Sequence, residues 1–351
     1  MSIGRGEPAS GAGTSPAAGL ARPILEVDNL TVTFGDGPGS VRAVDEVSLA
    51  VETGDIYAIV GESGCGKSTL AYALLDIIPP PGRVTSGEVR FKGRSLSQMS
   101  RGELNRVRAA EVAMVFQAAM NAFHPVITIG AHVDHTLQAH PEVFASRSEG
   151  REYFRYLLNL VRLRPERTWD AYESQLSGGM KQRVAIALAL VLKPSVVVLD
   201  EPTTALDVLN QRLMIDILAD LHRSLGVSIV FVTHDLALVA ELAGRVAVMY
   251  AGRLVESGTV DEIFASGGRR HPYVTALTAA IPTVVGAVSD VRPIPGEVPN
   301  LAQLPPGCRF SPRCALAEPI CQEQEPALLQ DDRGHLVACH VANRLLGVPS
   351  K

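Results

Sequence analysis

Long apolar segments are missing from this 351-residue sequence. The longest apolar run, Val184–Leu192, has nine residues, whereas a membrane-spanning helix needs about 20. The first 22 residues are rich in Gly, Ala, Ser and Pro and lack the apolar core of a secretory signal. We therefore expect residues 1–22 to form a disordered tail, and we expect any membrane association to depend on a membrane-embedded partner.

An excess of basic residues is also missing. The chain has 32 Lys and Arg against 37 Asp and Glu, for a net charge of −5. Proteins that bind nucleic acid use clustered positive charge, so nucleic acid is not an expected partner. A composition of 46% hydrophobic and 20% charged residues is ordinary for a globular protein. The length suits one large domain with a smaller one.

Apolar periodicity predicts a parallel-rich α/β core, because apolar strands, turns and helices recur along the chain. Strands are predicted at 24–34, 47–51, 56–60, 88–91, 112–116, 196–199, 228–233, 245–250 and 253–256, and helices at 67–78, 151–163, 177–192, 207–225 and 236–243. A charged, helical stretch at about 120–192 is predicted to be an insertion. We expect a main domain at 23–265 and a smaller C-terminal domain at 266–351.

A phosphate-binding loop is predicted at Gly61–Ser68, which fits the pattern G-x-x-x-x-G-K-[ST] between an apolar strand and a helix. Its glycines allow backbone N–H groups to converge on phosphate oxygens.

Lys67 supplies a positive charge to the β- and γ-phosphates, and Ser68 offers a hydroxyl to Mg²⁺. The predicted nucleotide contacts are Gly61, Ser63, Gly64, Cys65, Gly66, Lys67, Ser68 and Thr69. For Cys65 we assign the backbone only, and we expect the helix N-terminus to lower its thiol pKa.

Two acidic residues and a histidine follow predicted core strands. Asp200 and Glu201 end the strand at 196–199, where a carboxylate faces the mouth of the loop in a parallel sheet. Asp200 is expected to hold Mg²⁺, and Glu201 to polarise the attacking water. His234 follows the strand at 228–233 and is a candidate sensor of the γ-phosphate, although a lone histidine is more often structural.

A second anion-binding turn is predicted at Ser177, Gly178 and Gly179, which open a strong helix. Free N–H groups and the positive end of the helix dipole would converge on a phosphate there. The simpler alternative, an ordinary N-cap, uses the same geometry.

Together these motifs resemble those of the ATP-binding subunits of ABC transporters over residues 24–265. Gln117 matches the Q-loop of that family, Ala205–Asp207 the D-loop and His234 the switch histidine. Leu176–Met180 matches the signature, with Met180 where Gln is usual. Phe34 falls where the family has an aromatic residue that stacks on adenine, although a strand-end Phe is as often part of the core.

The resemblance implies a P-loop NTPase core with a RecA-like parallel sheet, an antiparallel β subdomain, a helical insertion and a small Cys-rich C-terminal domain. Two subunits would dimerise head to tail, each presenting its Ser177 turn to the nucleotide of the other. The implied catalytic residues are Glu201, His234, Lys67 and Gln117, and the implied Mg²⁺ ligands are Ser68, Gln117 and Asp200. Ala118-Ala119 replaces the frequent Asp-Pro, which affects the fit to a permease.

The C-terminal part, from His271 onward, resembles the subgroup that powers oligopeptide, dipeptide and nickel importers. That resemblance implies peptide uptake through two permease subunits, with a second, homologous ATPase subunit and an extracytoplasmic solute-binding protein. It implies a peripheral location on the cytoplasmic face of the inner membrane. One alternative is a soluble ABC-type ATPase that acts on nucleic acid or ribosomes, but the twin cassettes or basic face that it predicts are not found in the sequence. Another is a non-catalytic subunit, which predicts the loss of Lys67 or Glu201, and both residues are present.

Four of the five cysteines, Cys308, Cys314, Cys321 and Cys339, lie in the C-terminal segment, and the subgroup associates them with a [4Fe–4S] cluster. Four thiolates fit such a cluster and equally fit tetrahedral Zn²⁺. The absence of C-x2-C pairs favours iron–sulfur, with zinc second and free or disulfide-linked thiols third.

Overall fold

The computed structural model describes residues 23–117, 123–204, 206–265, 267–279 and 294–346. The predicted tail at 1–22, Ala118-Ala119 and Ala205 lie outside these residues. No helix in the described ranges is both long and apolar enough to cross a membrane.

The strands follow one another along the chain with helices between them. The strands are β1 (Leu25–Phe34), β2 (Val41–Val51), β3 (Ile56–Val60), β4 (Gly82–Phe91), β5 (Arg94–Ser95), β6 (Val112–Val115), β7 (Val196–Asp200), β8 (Ser228–Thr233), β9 (Arg245–Tyr250), β10 (Arg253–Thr259), β11 (Leu329–Gln330) and β12 (Leu336–Val337). The helices are α1 (Lys67–Ala73), α2 (Arg101–Ala110), α3 (Ile129–Ala139), α4 (Arg147–Leu160), α5 (Pro165–Trp169), α6 (Gly178–Leu190), α7 (Val208–Leu225), α8 (Leu236–Leu242), α9 (Val260–Phe264), α10 (Pro272–Ala279), α11 (Pro319–Glu323) and α12 (His340–Asn343).

Two sheets form the framework of the described residues. One has the order β2-β1-β4-β5 and is antiparallel. The other has eight strands in the order β11-β12-β10-β9-β3-β8-β7-β6, and its strands from β9 to β6 are parallel. This is the α/β fold with a parallel sheet and an antiparallel subdomain that the sequence predicts.

The parallel strands are buried on both faces. All residues of β7 and β8 are buried, which agrees with their nearly continuous apolar sequences. Because the strands lie side by side in one orientation, β3, β7 and β8 bring the phosphate loop, Asp200 and His234 to the same edge of the sheet.

The helical insertion consists of α3, α4, α5 and the start of α6. The only tryptophan, Trp169, packs against Phe154 with a centroid distance of 6.2 Å. A Cβ added to Gly130 of α3 would lie 2.4 Å from the Trp169 ring, so only glycine fits at this helix contact.

The C-terminal segment is attached to the main sheet. Strand β12 pairs with β10 in antiparallel register, with Glu256 opposite Val337. A fully buried carboxylate, Glu256, accepts hydrogen bonds from the His271 N–H at 2.6 Å and from His335 at 3.0 Å. The main sheet continues across the predicted domain boundary at about 265, because β12 pairs with β10. The boundary itself stays a prediction.

Several elements differ from the sequence-based predictions. Strand β4 begins at Gly82 rather than at 88, because it pairs with β1 along its exposed half. Helix α1 ends at Ala73 rather than at 78, before Asp76 adopts a positive φ of 53°. Helix α2, which was not predicted, begins with a capping box between Ser100 and Glu103.

Candidate active site

The phosphate loop connects β3 to α1, and its glycines are required by close packing. A Cβ on Gly61 would lie 2.3 Å from the carbonyl oxygen of Met249 in β9. A Cβ on Gly66 would lie 1.9 Å from the carbonyl oxygen of Ala43 in β2, and Gly66 has φ of 104°. The loop is therefore held between the two sheets, and both positions exclude any other residue.

Lys67 begins α1 and points back into the loop. Its side chain is buried, and its Nζ donates hydrogen bonds to the carbonyl oxygens of Gly61 at 2.8 Å and Glu62 at 2.9 Å. The positive charge of the loop is thus located inside it. Triphosphate oxygens are the acceptors that this ammonium group would take in a phosphate-binding loop.

The expectation that the Cys65 thiol has a lowered pKa is wrong. Cys65 is fully buried, and burial raises its pKa, although the charge of Lys67 acts in the opposite direction. Its Sγ lies within the core beneath the loop, where burial outweighs the lowering effects of the Lys67 charge and of the Lys67 N–H at the start of α1.

Asp200 and Ser68 meet at the end of β7. The Ser68 hydroxyl donates to Oδ1 of Asp200 at 3.1 Å. Asp200 is fully buried, and its Oδ2 has no hydrogen-bond partner among the described residues. Burial and the neighbouring Glu201 raise the pKa of Asp200, while Ser68 and Lys67 lower it. An unsatisfied buried carboxylate oxygen beside a hydroxyl fits an oxygen-preferring divalent cation such as Mg²⁺.

Glu201 is held by three side chains from three different segments. Gln117 Nε2 lies 3.4 Å from its Oε2, the Thr204 hydroxyl donates to the same oxygen, and His234 Nδ1 lies 3.2 Å from Oε1. Burial acts to raise the pKa of Glu201, but the hydrogen bonds from Thr204 and His234 outweigh it and the pKa is lowered. The residue is therefore an oriented carboxylate at neutral pH.

The backbone of Glu201 is also unusual. Its φ is 49°, a left-handed conformation that non-glycine residues rarely adopt. Its N–H donates to the Val232 carbonyl in β8 at 2.9 Å, which holds the strained turn in place. Strain that is retained at the end of a core strand is typical of functional positions.

The Ser177 turn faces outward. Ser177 caps α6 by accepting from the Met180 N–H at 3.3 Å, and both Ser177 and Gly178 are exposed. A Cβ on Gly179 would lie 3.3 Å from Oδ1 of Asn210, whose amide donates to Asp207. Within the described residues, no hydrogen bond joins this turn to the phosphate loop of its own chain.

Phe34 lies at the end of β1 and is half-buried. Its ring covers Gly82, where an added Cβ would lie 2.6 Å from the ring. Part of the ring therefore belongs to the core, and the adenine-stacking role stays a prediction.

The C-terminal cysteines lie in one region but form no recognisable metal site. All five cysteines of the chain are free. The Cys308 N–H donates to the Cys321 carbonyl at 2.8 Å. Burial, with smaller contributions from Glu325, Cys321 and Cys339, raises the pKa of Cys308 to about 12. Among the residues the structure describes, no group of three or more His, Cys, Asp or Glu is arranged to hold a metal ion. The predicted cluster is therefore not confirmed.

Three residues near the loop were not predicted. Thr204 has a local signal, because a hydroxyl three residues after Glu201 can cap its turn. Tyr273 and Arg313 both contact Glu62 of the phosphate loop, from 211 and 251 residues away in sequence. No sequence pattern identifies such long-range contacts.

The sequence matches two family models. Residues 44–204 match the ABC transporter family, and residues 255–321 match the C-terminal region of oligopeptide and dipeptide transporters. The dipeptide transport ATP-binding protein DppD of Caldanaerobacter subterraneus is 44% identical over 91% of this chain and 97% of that protein. The chain belongs to the ATP-binding subunits of ABC transporters. The DppD protein of Escherichia coli is 41% identical, over 90% of this chain and 96% of that protein.

Solved structures agree with this family. The ATP-binding cassette MJ0796, in a dimeric post-hydrolysis state bound to ADP and Pi, superposes with a TM-score of 0.60 at 29% identity. The match covers 68% of this chain and 99% of that cassette. The ABC subunit described here is thus an ATPase with ATP as its substrate and Mg²⁺ as the metal of its family. Subunits of this kind dimerise and work with membrane permeases.

Proposed function

We propose that this ABC subunit couples ATP binding and hydrolysis to the uptake of dipeptides or oligopeptides through two permease subunits. The observation that carries the proposal is the extent of the similarity. It runs through the ATPase part and on through the C-terminal region, over 91% of the chain, to a dipeptide transport ATP-binding protein. A soluble ATPase with an unrelated task would not be expected to share both regions.

We propose that the phosphate loop binds the nucleotide in the way its residue types suggest. Lys67 would exchange its bonds to the Gly61 and Glu62 carbonyls for bonds to phosphate oxygens. Ser68 and Asp200 would hold Mg²⁺, with Gln117 completing the set. When bound, this ion supplies positive charge that offsets the charge of the phosphates. The proposed nucleotide contacts are those predicted above, including Phe34 at the adenine.

Glu201 is proposed to accept a hydrogen bond from the attacking water and to orient it toward the γ-phosphate. The support is its geometry, because Gln117, Thr204 and His234 fix both carboxylate oxygens at the loop edge. The lowered pKa keeps Glu201 ionised and able to accept. His234, which already contacts Glu201, is proposed to sense the γ-phosphate. Positioning and charge stabilisation would supply most of the rate.

The proposed active form is a dimer in which each Ser177 turn meets the nucleotide of the other subunit. Exposure of Ser177 and Gly178 at the N-terminus of a 13-residue helix supports this arrangement. We propose that the partner is a second, homologous ATPase subunit, and that an extracytoplasmic solute-binding protein delivers the peptide. The complex would place this subunit at the cytoplasmic face of the inner membrane.

For the C-terminal cysteines we propose a [4Fe–4S] cluster, with zinc as the second candidate. The support is that four thiols lie in the C-terminal segment and that the Cys308 N–H donates to the Cys321 carbonyl at 2.8 Å, although the described residues form no three-ligand group. Cys308, Cys314, Cys321 and Cys339 are the proposed ligands. Metal analysis after anaerobic purification tests this: about four irons and visible absorption support the cluster, whereas zinc or no metal contradicts it.

The ATPase part of the proposal is tested with Glu201→Gln in the complex with its permeases. The variant should bind ATP and dimerise but lose turnover by at least about 100-fold, since the water is no longer oriented by a carboxylate. Glu241→Gln, at an exposed acid on α8 that pairs with Arg212, is the control and should keep its turnover. Peptide uptake by vesicles containing the complex tests the substrate class. Unchanged turnover in Glu201→Gln would contradict the catalytic role of Glu201. If the vesicles take up no peptide when ATP is supplied, the proposed substrate class is wrong.

A further inference from the structure

The C-terminal segment contacts the phosphate loop directly, through Glu62. The Glu62 N–H donates to the Tyr273 hydroxyl at 2.9 Å. Its carboxylate accepts two hydrogen bonds from the Arg313 guanidinium, at 2.6 and 3.0 Å. Its carbonyl accepts from Lys67. The same carbonyl also accepts from the Cys65 N–H at 3.3 Å. Every polar group of this loop residue therefore has a partner, and two of the four partners, Tyr273 and Arg313, belong to the C-terminal part of the chain.

Arg313 is fixed before it reaches the loop. Its side chain is 5% exposed, its Nε donates to the Pro295 carbonyl at 2.8 Å, and its NH1 also lies 3.3 Å from the Tyr250 hydroxyl. The guanidinium stands over the Tyr250 ring at 5.8 Å. Because neighbours already hold the Arg313 side chain, it loses little entropy when it forms the bidentate interaction with Glu62. This interaction therefore constrains Glu62 strongly.

Tyr273 is fixed equally well. It is fully buried, and its ring packs against Tyr250 and Phe310 with centroid distances of 4.7 and 5.4 Å. Phe310 comes from the cysteine-rich segment, between Cys308 and Cys314. The hydroxyl that accepts from the loop is therefore placed by packing between the ATPase sheet and the C-terminal segment.

We propose that Arg313 and Tyr273 are positioning residues for nucleotide binding, with Tyr273 anchoring the loop backbone at Glu62 and Arg313 holding and neutralising the Glu62 carboxylate. The inference rests on the proposed nucleotide role of the phosphate loop. An unpaired carboxylate in the loop would repel the phosphates, because like charges near one another oppose binding. The paired carboxylate carries no such penalty.

The charge argument gives a specific double-variant test on the full chain. ATP affinity in the presence of Mg²⁺ is measured by calorimetry. Arg313→Gln should weaken binding by about threefold to tenfold, the size of one net hydrogen bond or partly screened ion pair. Glu62→Gln should bind at least as tightly as the wild type. The combination of both changes should return affinity to within about twofold of the wild type, since the repelling charge has gone.

Tyr273→Phe tests the backbone anchor without changing shape, and should weaken ATP binding by about threefold because the Glu62 N–H loses its partner. Two matched controls should leave affinity unchanged. Arg344→Gln removes an arginine of the same segment that pairs with Glu318 instead. Tyr57→Phe removes another buried hydroxyl, which bonds to Ser257.

The outcomes distinguish a failure of the positioning proposal from a failure of the proposed nucleotide role of the loop. Wild-type affinity in folded Arg313→Gln and Tyr273→Phe would overturn the positioning role, and a double variant as weak as Arg313→Gln would overturn the charge argument. If Arg313→Gln does not fold, Tyr273→Phe decides the positioning role, and weaker binding by Glu62→Gln than by the wild type would overturn the charge argument. Failure of the wild-type chain to bind ATP would instead contradict the proposed role of the loop.

Discussion

Replacing Arg309 with Met should destabilise the attachment of the C-terminal segment by about 3 kcal/mol. The Arg309 guanidinium is nearly buried and pairs with the buried Asp45 of β2, and it also donates to the Ala251 carbonyl at 2.5 Å. Breaking a buried pair costs about 3–5 kcal/mol because the remaining charge stays desolvated. The lower end applies, since Arg42 and Arg253 each lie 3.4 Å from the Asp45 carboxylate and still offset its charge.

The stability lost in Arg309→Met should depend on pH in a defined direction. Burial acts to raise the pKa of Asp45, but Arg309, Arg253 and Arg42 outweigh it and lower the pKa below its ordinary value. In the wild type, the stabilising contribution is present above the unfolded pKa of about 3.9 and is lost as pH falls through the lower folded pKa. Without Arg309 the folded pKa rises, so protonation relieves the buried charge. The deficit of the variant should therefore be largest at neutral pH and should narrow toward pH 4.

Urea unfolding of the full chain at several pH values measures this, with limited proteolysis to detect local release of residues 294–346. The second variant, Asp45→Asn combined with Arg309→Met, should lose less stability than Arg309→Met alone. Arg344→Met, which removes an exposed pair with Glu318, should leave the urea midpoint close to that of the wild type. An equal deficit at pH 7 and pH 4, or a loss that Asp45→Asn does not reduce, would refute the electrostatic reasoning.

Three other predictions follow from the packing. Gly66→Ala should abolish ATP binding in calorimetry, because its Cβ would meet the Ala43 carbonyl at 1.9 Å; retained binding would contradict the close approach. Gly130→Ala should destabilise the helical insertion by about 1–3 kcal/mol, followed by the fluorescence of Trp169 in urea, and an unchanged midpoint would refute it. Ser177→Ala should lower the stability of α6 by about 1 kcal/mol by removing its N-cap, and should reduce ATP-driven dimerisation measured by light scattering. Unchanged dimerisation would count against the proposed contact between Ser177 and the nucleotide of the other subunit.

The sequence predicts the buried strands well and the exposed ones poorly. Strands β3 and β8 have the predicted bounds, because apolar runs of 5 and 6 residues are too short for a buried helix and favour a strand that is buried on both faces. The first half of β4 has mostly exposed side chains and gives no apolar alternation, so its pairing with β1 determines the strand. Helix α2 is polar and is interrupted by non-helical Arg108 and Ala109, which hides its period.

The candidate site also has features that the sequence predicts and features that it does not. Lys67, Asp200 and Glu201 can be predicted because each stands at a fixed offset from a core strand, and the parallel order of β3, β7 and β8 brings those ends together. The sequence places Gln117 and His234 at the site, and Thr204 has a local turn signal, but their hydrogen bonds to one carboxylate cannot be predicted. Gln117 and His234 reach Glu201 from other strand ends, which only the fold brings together. The raised pKa of Cys65 depends on burial under the loop, which the local sequence does not reveal.

The phosphate loop is thus supported by parts of the chain that carry no nucleotide motif. Ala43 and Met249 limit it from two strands, and Tyr273 and Arg313 hold Glu62 from the C-terminal side. A chain that ended at residue 265 would keep every motif yet would leave the Glu62 carboxylate without Arg313 and the Glu62 N–H without Tyr273. Arg313 directly precedes Cys314, so a change at this cysteine lies one residue from the guanidinium that binds Glu62. Nucleotide affinity should therefore depend on the C-terminal segment even though that segment supplies no residue to the motifs themselves.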